Sequence, residues 1–136
     1  MWLLHAIRMS PTNNDSNLSS YPLTDVRQVL VASPQYLRQH KKLEGPKGLG
    51  DHQLICIDIM KDASHVELTQ IETGKKTRTK MTSRIHTNNV FMATTLAKKG
   101  HGVVRLMELD IKKELESGEL VEVFTGFQLP SFVLYA

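Results

Sequence analysis

The spacing of apolar residues along the chain predicts short strands that alternate with helices. Apolar or alternating runs of strand length recur, with turn-forming residues between them. We predict strands over residues 1–7, 21–32, 53–59, 65–71, 77–85, 101–106, 120–124 and 132–135. Residues 10–17 and 42–50 are rich in turn formers and predict a loop and a connector. The glycine at 74 predicts a hairpin turn between the fourth and fifth strands.

Three helices are predicted from the residues at their ends. Serine or asparagine, which can accept a hydrogen bond from a free backbone N–H group, precedes the first two, and glycine follows the last two. The predicted ranges are 34–39 after Ser33, 90–99 between Asn89 and Gly100, and 107–117 before Gly118. Strands alternating with helices, together with a hairpin, predict an α/β fold with a mixed sheet.

Composition narrows the class of protein to one folded domain. The chain has 136 residues, of which 40% are hydrophobic and 23% charged, and a net charge of +3. A chain of this size buries about two-thirds of its surface on folding. No apolar run approaches the ~20 residues of a membrane span, and no positive charge precedes the apolar start as in a secretion signal. The single cysteine, Cys56, cannot form an internal disulfide, so we expect a cytoplasmic protein without a membrane partner.

The sequence contains no recognisable metal-binding, catalytic or nucleic-acid-binding motif. No two of the six histidines are three or four residues apart, so no metal site and no cofactor is predicted. Cys56 lies in an apolar run and is expected to be a core residue, and no catalytic residue is predicted. Five basic residues between Lys75 and Arg84 lack the aromatic neighbours of a single-strand nucleic-acid site, which predicts a solvated hairpin face.

Four stretches, in order, resemble the effector-binding domain of LysR-type transcriptional regulators. They are AIRMS at 6–10 with YPL at 21–23, VLVASPQYL at 29–37, NN at 88–89 with GHGV at 100–103 and ELESGELV at 114–121, and LYA at 134–136. The family usually has leucine where His101 stands, and a Leu-Pro step where residues 105–107 read Arg-Leu-Met. These two departures are confined to short segments, and the order of the motifs over nearly the whole chain supports the family.

The resemblance implies a fold like that of type II periplasmic binding proteins, in which two crossing strands join two α/β subdomains around a ligand cleft. On this chain, residues 1–9 and 130–136 match the crossover strands, and about 20–126 match the second subdomain. Nothing in residues 1–136 matches the N-terminal helix-turn-helix, the linker helix or the first half of the first subdomain. We therefore expect DNA to be bound only through a helix-turn-helix domain absent from this chain.

Residues Thr87, Asn88 and Asn89 form the candidate ligand site. They precede a predicted helix, where free N–H groups and the positive end of the helix dipole favour an anion. The alternative is that Asn89 only caps the helix. In the regulators that the chain resembles, the matching loop faces the cleft and contacts effectors, frequently small carboxylates. Arg8 and Ser10 are expected in the same cleft, with Arg8 binding a carboxylate or forming a structural salt bridge.

The function expected from these observations is that of the effector-sensing domain of a bacterial regulator, and not that of an enzyme. One alternative is a solute-binding receptor on the same fold, although no export signal is found. A second is a small enzyme, which would require Cys56, Asp58 and His86 to meet in a pocket. Because exposed strand edges tend to pair with another chain, we expect a homodimer through strands 3–8 and 131–135.

Overall fold

The computed structural model describes residues 8–11, 22–40, 45–59, 62–123 and 125–135. The strands and α-helices in chain order are β1 (Arg8–Pro11), β2 (Pro22–Val26), β3 (Gln28–Ala32), α1 (Pro34–Gln39), β4 (Gln53–Ile57), β5 (His65–Gln70), β6 (Lys76–Lys80), β7 (Thr82–Thr87), α2 (Val90–Lys98), β8 (Val103–Met107), α3 (Lys112–Ser117), β9 (Val121–Glu122), β10 (Phe127–Gln128) and β11 (Phe132–Tyr135). Two 3₁₀ helices cover Pro46–Asp51 and Glu108–Ile111.

A five-stranded mixed sheet with the order β7-β4-β8-β3-β9 forms the centre of the fold. Strand β4 is parallel to β7 and β8, whereas β3 is antiparallel to β8 and β9. Alternate residues of β4 belong to two apolar core clusters, one on each face of the sheet. Ile55 and Ile57 pack with α2, and Leu54 and Cys56 pack on the opposite face. Burial on both faces explains why β3 and β4 are apolar at every position after their first residue, Gln28 and Gln53.

Two smaller sheets accompany the central one. The sheet β10-β5-β6 is antiparallel, and its Val66 and Leu68 belong to the same core cluster as Leu54 and Cys56. The predicted hairpin is confirmed, and its turn includes Gly74 at φ +74°. The five basic residues from Lys75 to Arg84 are all exposed, as predicted for a solvated face.

The third sheet, β1-β11-β2, joins the two ends of the described chain. Strand β11 lies between β1 and β2 and is antiparallel to both. The expectation that strand 131–135 has an exposed edge is therefore wrong, because hydrogen-bonded neighbours cover both of its sides. Within the described residues, β1 and β2 form the edges of this sheet. The predicted strand 1–7 lies outside the described residues.

Two long predicted strands are each divided between sheets. The strand predicted over 21–32 is divided into β2, which begins at Pro22, and β3, because Arg27 interrupts it and the Arg27 carbonyl accepts a hydrogen bond from the Glu108 N–H at 2.9 Å. Residues 77–85 are split at Met81, which is buried and donates its N–H to the Ser64 carbonyl. In both cases the chain passes into a different sheet without a turn signal.

The predicted helix ends are mostly confirmed. Helix α1 occupies 34–39 as predicted, and the Ser33 hydroxyl accepts the Tyr36 N–H at 3.1 Å. Helix α2 begins after Asn89 and closes near Gly100, which has φ +85°. The third predicted helix is shorter than expected, since its first turn is the 3₁₀ helix Glu108–Ile111.

Several predicted boundaries differ by a few residues. The strand predicted over 53–59 ends at 57, and the one predicted over 101–106 covers 103–107. The strand at 120–124 is limited to 121–122, while the predicted loop 10–17 begins inside β1. Part of the predicted connector 42–50 is a 3₁₀ helix, because Leu49 is buried in the core and fixes this segment against it.

Candidate functional site

The candidate site lies where the parallel strands of the central sheet end. The carboxyl ends of β4, β7 and β8 share one edge of the sheet, and the antiparallel β3 begins at that edge. We call it the carboxyl edge and define it as residues 27–28, 58–59, 86–89, 107–108 and 122. In open α/β sheets, ligands usually bind outside the carboxyl ends of the strands, so this edge is the natural place for a ligand.

Hydrogen bonds donated by three backbone N–H groups hold the loop between β7 and α2 in place. The Thr87 carbonyl accepts the Asp58 N–H at 2.9 Å, which ties the loop to the end of β4. The Thr87 hydroxyl accepts the Asn89 N–H at 3.1 Å, and the Asn89 side chain accepts the Met92 N–H at 3.0 Å. Asn89 is therefore the N-cap of α2, as one interpretation of the sequence predicted, and Asn88 is exposed between two fixed neighbours.

The surface around this loop combines a positive helix end with exposed apolar side chains. The first turn of α2 contains no acidic residue that would neutralise the dipole. Phe91 is 80% exposed, and Met92 and Ile59 are also exposed. These exposed apolar side chains adjoin the polar groups of the loop.

The end of β4 also brings together the three residues considered for an enzyme. Asp58 Oδ1 lies 2.9 Å from His86 Nδ1, and ligand atoms of Cys56, Asp58 and His86 all lie within 4.8 Å of one another. The hydrogen bond between Asp58 and His86 raises the pKa of the imidazole and lowers the pKa of the carboxyl. Both side chains are about half exposed.

Cys56 has the properties of a core thiol, as predicted. It is only 3% exposed, and its burial and the neighbouring Asp58 carboxylate raise the pKa of the thiol. A thiol held protonated in this way is a weak nucleophile, because the thiolate is the reactive form. The meeting of Cys56, Asp58 and His86 therefore gives little support to an enzyme with a cysteine nucleophile.

Comparison with known protein families gives one match over almost the whole chain. The model of the LysR substrate binding domain matches residues 5–136. The chain belongs to the LysR substrate-binding domain family. Its mixed sheet is part of a type II periplasmic-binding-protein-like α/β fold, and the predicted fold class is confirmed. The assignment of about residues 20–126 to the second subdomain stays a prediction.

Individual relatives of this LysR domain are distant in sequence. It is 24% identical over 113 residues to the HTH-type transcriptional regulator PgrR of Escherichia coli K12, which covers 82% of this chain and 38% of PgrR. The full-length virulence activator AphB of Vibrio cholerae superposes with a TM-score of 0.79 at 24% identity, covering 95% of this chain and 42% of AphB. The regulatory domain of AphB from Vibrio vulnificus, treated with cumene hydroperoxide, gives 0.80 at 22%, with coverage of 95% and 63%.

This LysR domain thus spans about two-fifths of the length of PgrR and of full-length AphB. No helix in the described ranges is both long and apolar enough to cross a membrane.

Arg8 and Ser10, the other predicted ligand residues, lie in β1 and pair with Tyr135 and Val133 of β11. Their side chains lie outside the described part of this LysR domain, so contact of Arg8 or Ser10 with a ligand stays a prediction. The strand β2 leads directly to the carboxyl edge at Arg27, which brings the β1-β11-β2 sheet to the same side as Asn88.

The carboxyl edge also contains a cluster of ion pairs around Arg27 that the sequence did not predict. Arg27 binds Glu122 Oε1 at 2.9 Å and also the Glu108 carboxylate, so one guanidinium joins three strand ends. Residues 27, 108 and 122 are far apart in the chain, and only the order of strands in the sheet brings them together.

A groove at the opposite end of β4 and β7 was also not predicted from the sequence. It has a volume of about 320 Å³ and is lined by Tyr36, His40, Gly50, Asp51, His52, Gln53, Thr82 and Arg84. Tyr36 and His40 stack at 4.0 Å between ring centroids, and the Tyr36 hydroxyl lies 3.0 Å from His52 Nδ1. These contacts stabilise α1 against the 3₁₀ helix and the start of β4.

Asn89 is expected to stabilise the domain as the N-cap of α2. Replacing Asn89 with alanine removes the acceptor of the Met92 N–H and is expected to cost about 1 kcal/mol of unfolding free energy. Asn89→Asp keeps an acceptor and adds a negative charge at the helix start, so it should retain the wild-type value. Urea denaturation followed by circular dichroism measures both, and equal losses in the two variants would contradict the cap.

Proposed function

We propose that this chain is the ligand-sensing part of a bacterial LysR-type transcription regulator, and not an enzyme. It would bind a small carboxylate at the carboxyl edge, beside Thr87, Asn88 and Asn89. The observation that carries the proposal is the fixed loop between β7 and α2, which places the helix N-terminus and an exposed amide at the edge where three parallel strands end. The family match over residues 5–136 supports it.

The chemistry of the edge suits a carboxylate attached to an apolar group. A carboxylate oxygen accepts hydrogen bonds from backbone N–H groups and gains from the positive end of the α2 dipole. The Asn88 side chain offers further donors, and Phe91 and Met92 offer exposed apolar surface. Arg8 would bind the same carboxylate from β1 through its two-pronged guanidinium.

The regulatory step would be a shift between conformations. In the proposal, β1 and β11 are the crossover strands that join this subdomain to another one, and a ligand in the cleft favours the arrangement that it binds more tightly. The whole regulator would act in the cytoplasm as a homodimer, and its DNA contacts would come from a helix-turn-helix domain. The angle between subdomains would then set the spacing of the two DNA-reading heads.

Ligand binding by the 136-residue chain tests this proposal. Acetate, succinate and benzoate, together with the matching amides, are added while thermal unfolding is followed. At one hundred times the dissociation constant, a bound ligand stabilises a protein by about 2.7 kcal/mol, which corresponds to a rise in melting temperature of about 10 °C for a domain of this size. We expect such a rise with at least one carboxylate and not with its amide.

A matched pair of variants locates the site. Asn88→Ala is expected to weaken carboxylate binding at least about tenfold, or 1.4 kcal/mol, whereas the exposed Gln128→Ala on β10 should bind as the wild type. Equal stabilisation by a carboxylate and its amide would refute recognition of the charge. Equal affinity of the two variants would place the ligand elsewhere.

A further inference from the structure

The side chains of Cys56, Asp58 and His86 meet because of strand register. Strands β4 and β7 are parallel, and Cys56 is directly opposite His86 in their pairing. Opposed residues on neighbouring strands point to the same face, and the side chain two positions along a strand returns to that face. Asp58 follows Cys56 by two residues, and its carboxylate contacts both other side chains.

These three groups form a donor set that suits a transition metal ion. Thiolate, imidazole and carboxylate are the three side-chain ligands of Zn²⁺, and three protein ligands leave the fourth tetrahedral position open to water or an external ligand. Ordinary bond lengths to Zn²⁺ place ligand atoms roughly 3.5 Å apart. The three ligand atoms of this cluster already lie within 4.8 Å, so modest side-chain rotation closes the site.

The surroundings give an ion access and hold the sulfur in place. Asp58 and His86 are about half exposed, so an ion reaches them from solvent, whereas Cys56 is fixed in the buried strand. Burial and the Asp58 carboxylate raise the pKa of the Cys56 thiol, and Arg105 on β8 acts in the opposite direction. Its guanidinium is directed to the carbonyl oxygens of His65 at 2.8 Å and Ala63 at 3.4 Å.

We propose that Cys56, Asp58 and His86 form a binding site for a single divalent transition metal ion such as Zn²⁺ at the end of β4. Binding replaces the protons on the sulfur and between Asp58 and His86 with bonds to the metal, and those protons pass to the buffer. This proposal is independent of carboxylate binding at Asn88, so either can fail without the other.

Cobalt provides a spectroscopic test on the reduced 136-residue chain. Co²⁺ replaces Zn²⁺ at such sites, and a bound thiolate gives a near-ultraviolet charge-transfer band. Because the chain contains only one cysteine, a band of this kind can come only from Cys56. We expect one Co²⁺ per chain, displacement by Zn²⁺, and loss of the band in Cys56→Ala.

Variants at the two exposed ligands keep the test valid if Cys56→Ala fails to fold. Asp58→Asn and His86→Gln should each weaken Zn²⁺ binding by at least about tenfold in calorimetric titration. The exposed His101→Gln and Asp110→Asn remove the same side-chain types elsewhere and should bind as the wild type. Absence of a charge-transfer band with the wild type, or equal weakening by the control variants, would overturn the proposal.

Discussion

Replacing Gly102 with alanine is expected to lower the free energy of unfolding by about 3 kcal/mol. A Cβ atom at this position would lie 2.7 Å from the carbonyl oxygen of Gln53, closer than real Cβ atoms approach. That oxygen belongs to the backbone at the first residue of β4, so no side-chain rotation relieves the contact. Strands β4 and β8 would have to separate where Leu54 pairs with Val103, two residues that are almost fully buried.

Urea denaturation of the 136-residue chain measures this effect, and Gly50→Ala is the matched control. A Cβ at Gly50 meets no atom within 4 Å, so the control should change the free energy by no more than about 0.5 kcal/mol. A loss below 1 kcal/mol in Gly102→Ala would show that the two strands tolerate the added methyl group. The close approach would then not be the reason for glycine at this position.

Tyr36 is expected to be the most sensitive position of α1. Its side chain is 1% exposed, and its hydroxyl accepts the Gln53 N–H at 3.2 Å and bonds His52 Nδ1 at 3.0 Å. Tyr36→Ala should cost about 3–5 kcal/mol, because it removes a large buried ring and leaves a cavity. Tyr36→Phe should cost about 1–3 kcal/mol, because it keeps the ring and removes only the hydrogen bonds.

The difference between these two variants separates packing from hydrogen bonding. The same urea denaturation applies, with the exposed Gln39→Ala on the same helix as a control that should stay within about 0.5 kcal/mol of wild type. Amide hydrogen exchange supplies a second readout, since the Gln53 N–H should exchange faster in Tyr36→Phe. Identical losses in the alanine and phenylalanine variants would mean that the ring contributes nothing beyond its hydroxyl.

Local features of this fold could be predicted from sequence because their causes are local. Ser33 and Asn89 cap helices through hydrogen bonds that span three residues, and Gly74 takes a positive φ within a single turn. The positions of α1, α2 and the hairpin follow from these contacts. The family resemblance added the overall fold, which the comparisons confirm.

Features that depend on strand order could not be predicted in this way. The strand breaks at Arg27 and Met81 contain no proline or glycine. At each break the chain leaves one sheet and enters another. The contact between Cys56 and His86 joins residues thirty positions apart through parallel register. Helical ligand spacing cannot indicate such a contact, so the sequence predicted no metal site where the structure gathers three candidate ligands.

The position of β3 within the central sheet has a consequence for synthesis on the ribosome. Although β3 comes first of the five strands in the chain, it lies between β8 and β9, the last two. Val29 pairs with Leu106, and Val31 pairs with Glu122. Because these partners emerge long after β3, the nascent strand stays without its neighbours until nearly the entire domain has been translated. Such distant pairing slows folding, and it makes β3 the segment most in need of protection from aggregation while translation continues.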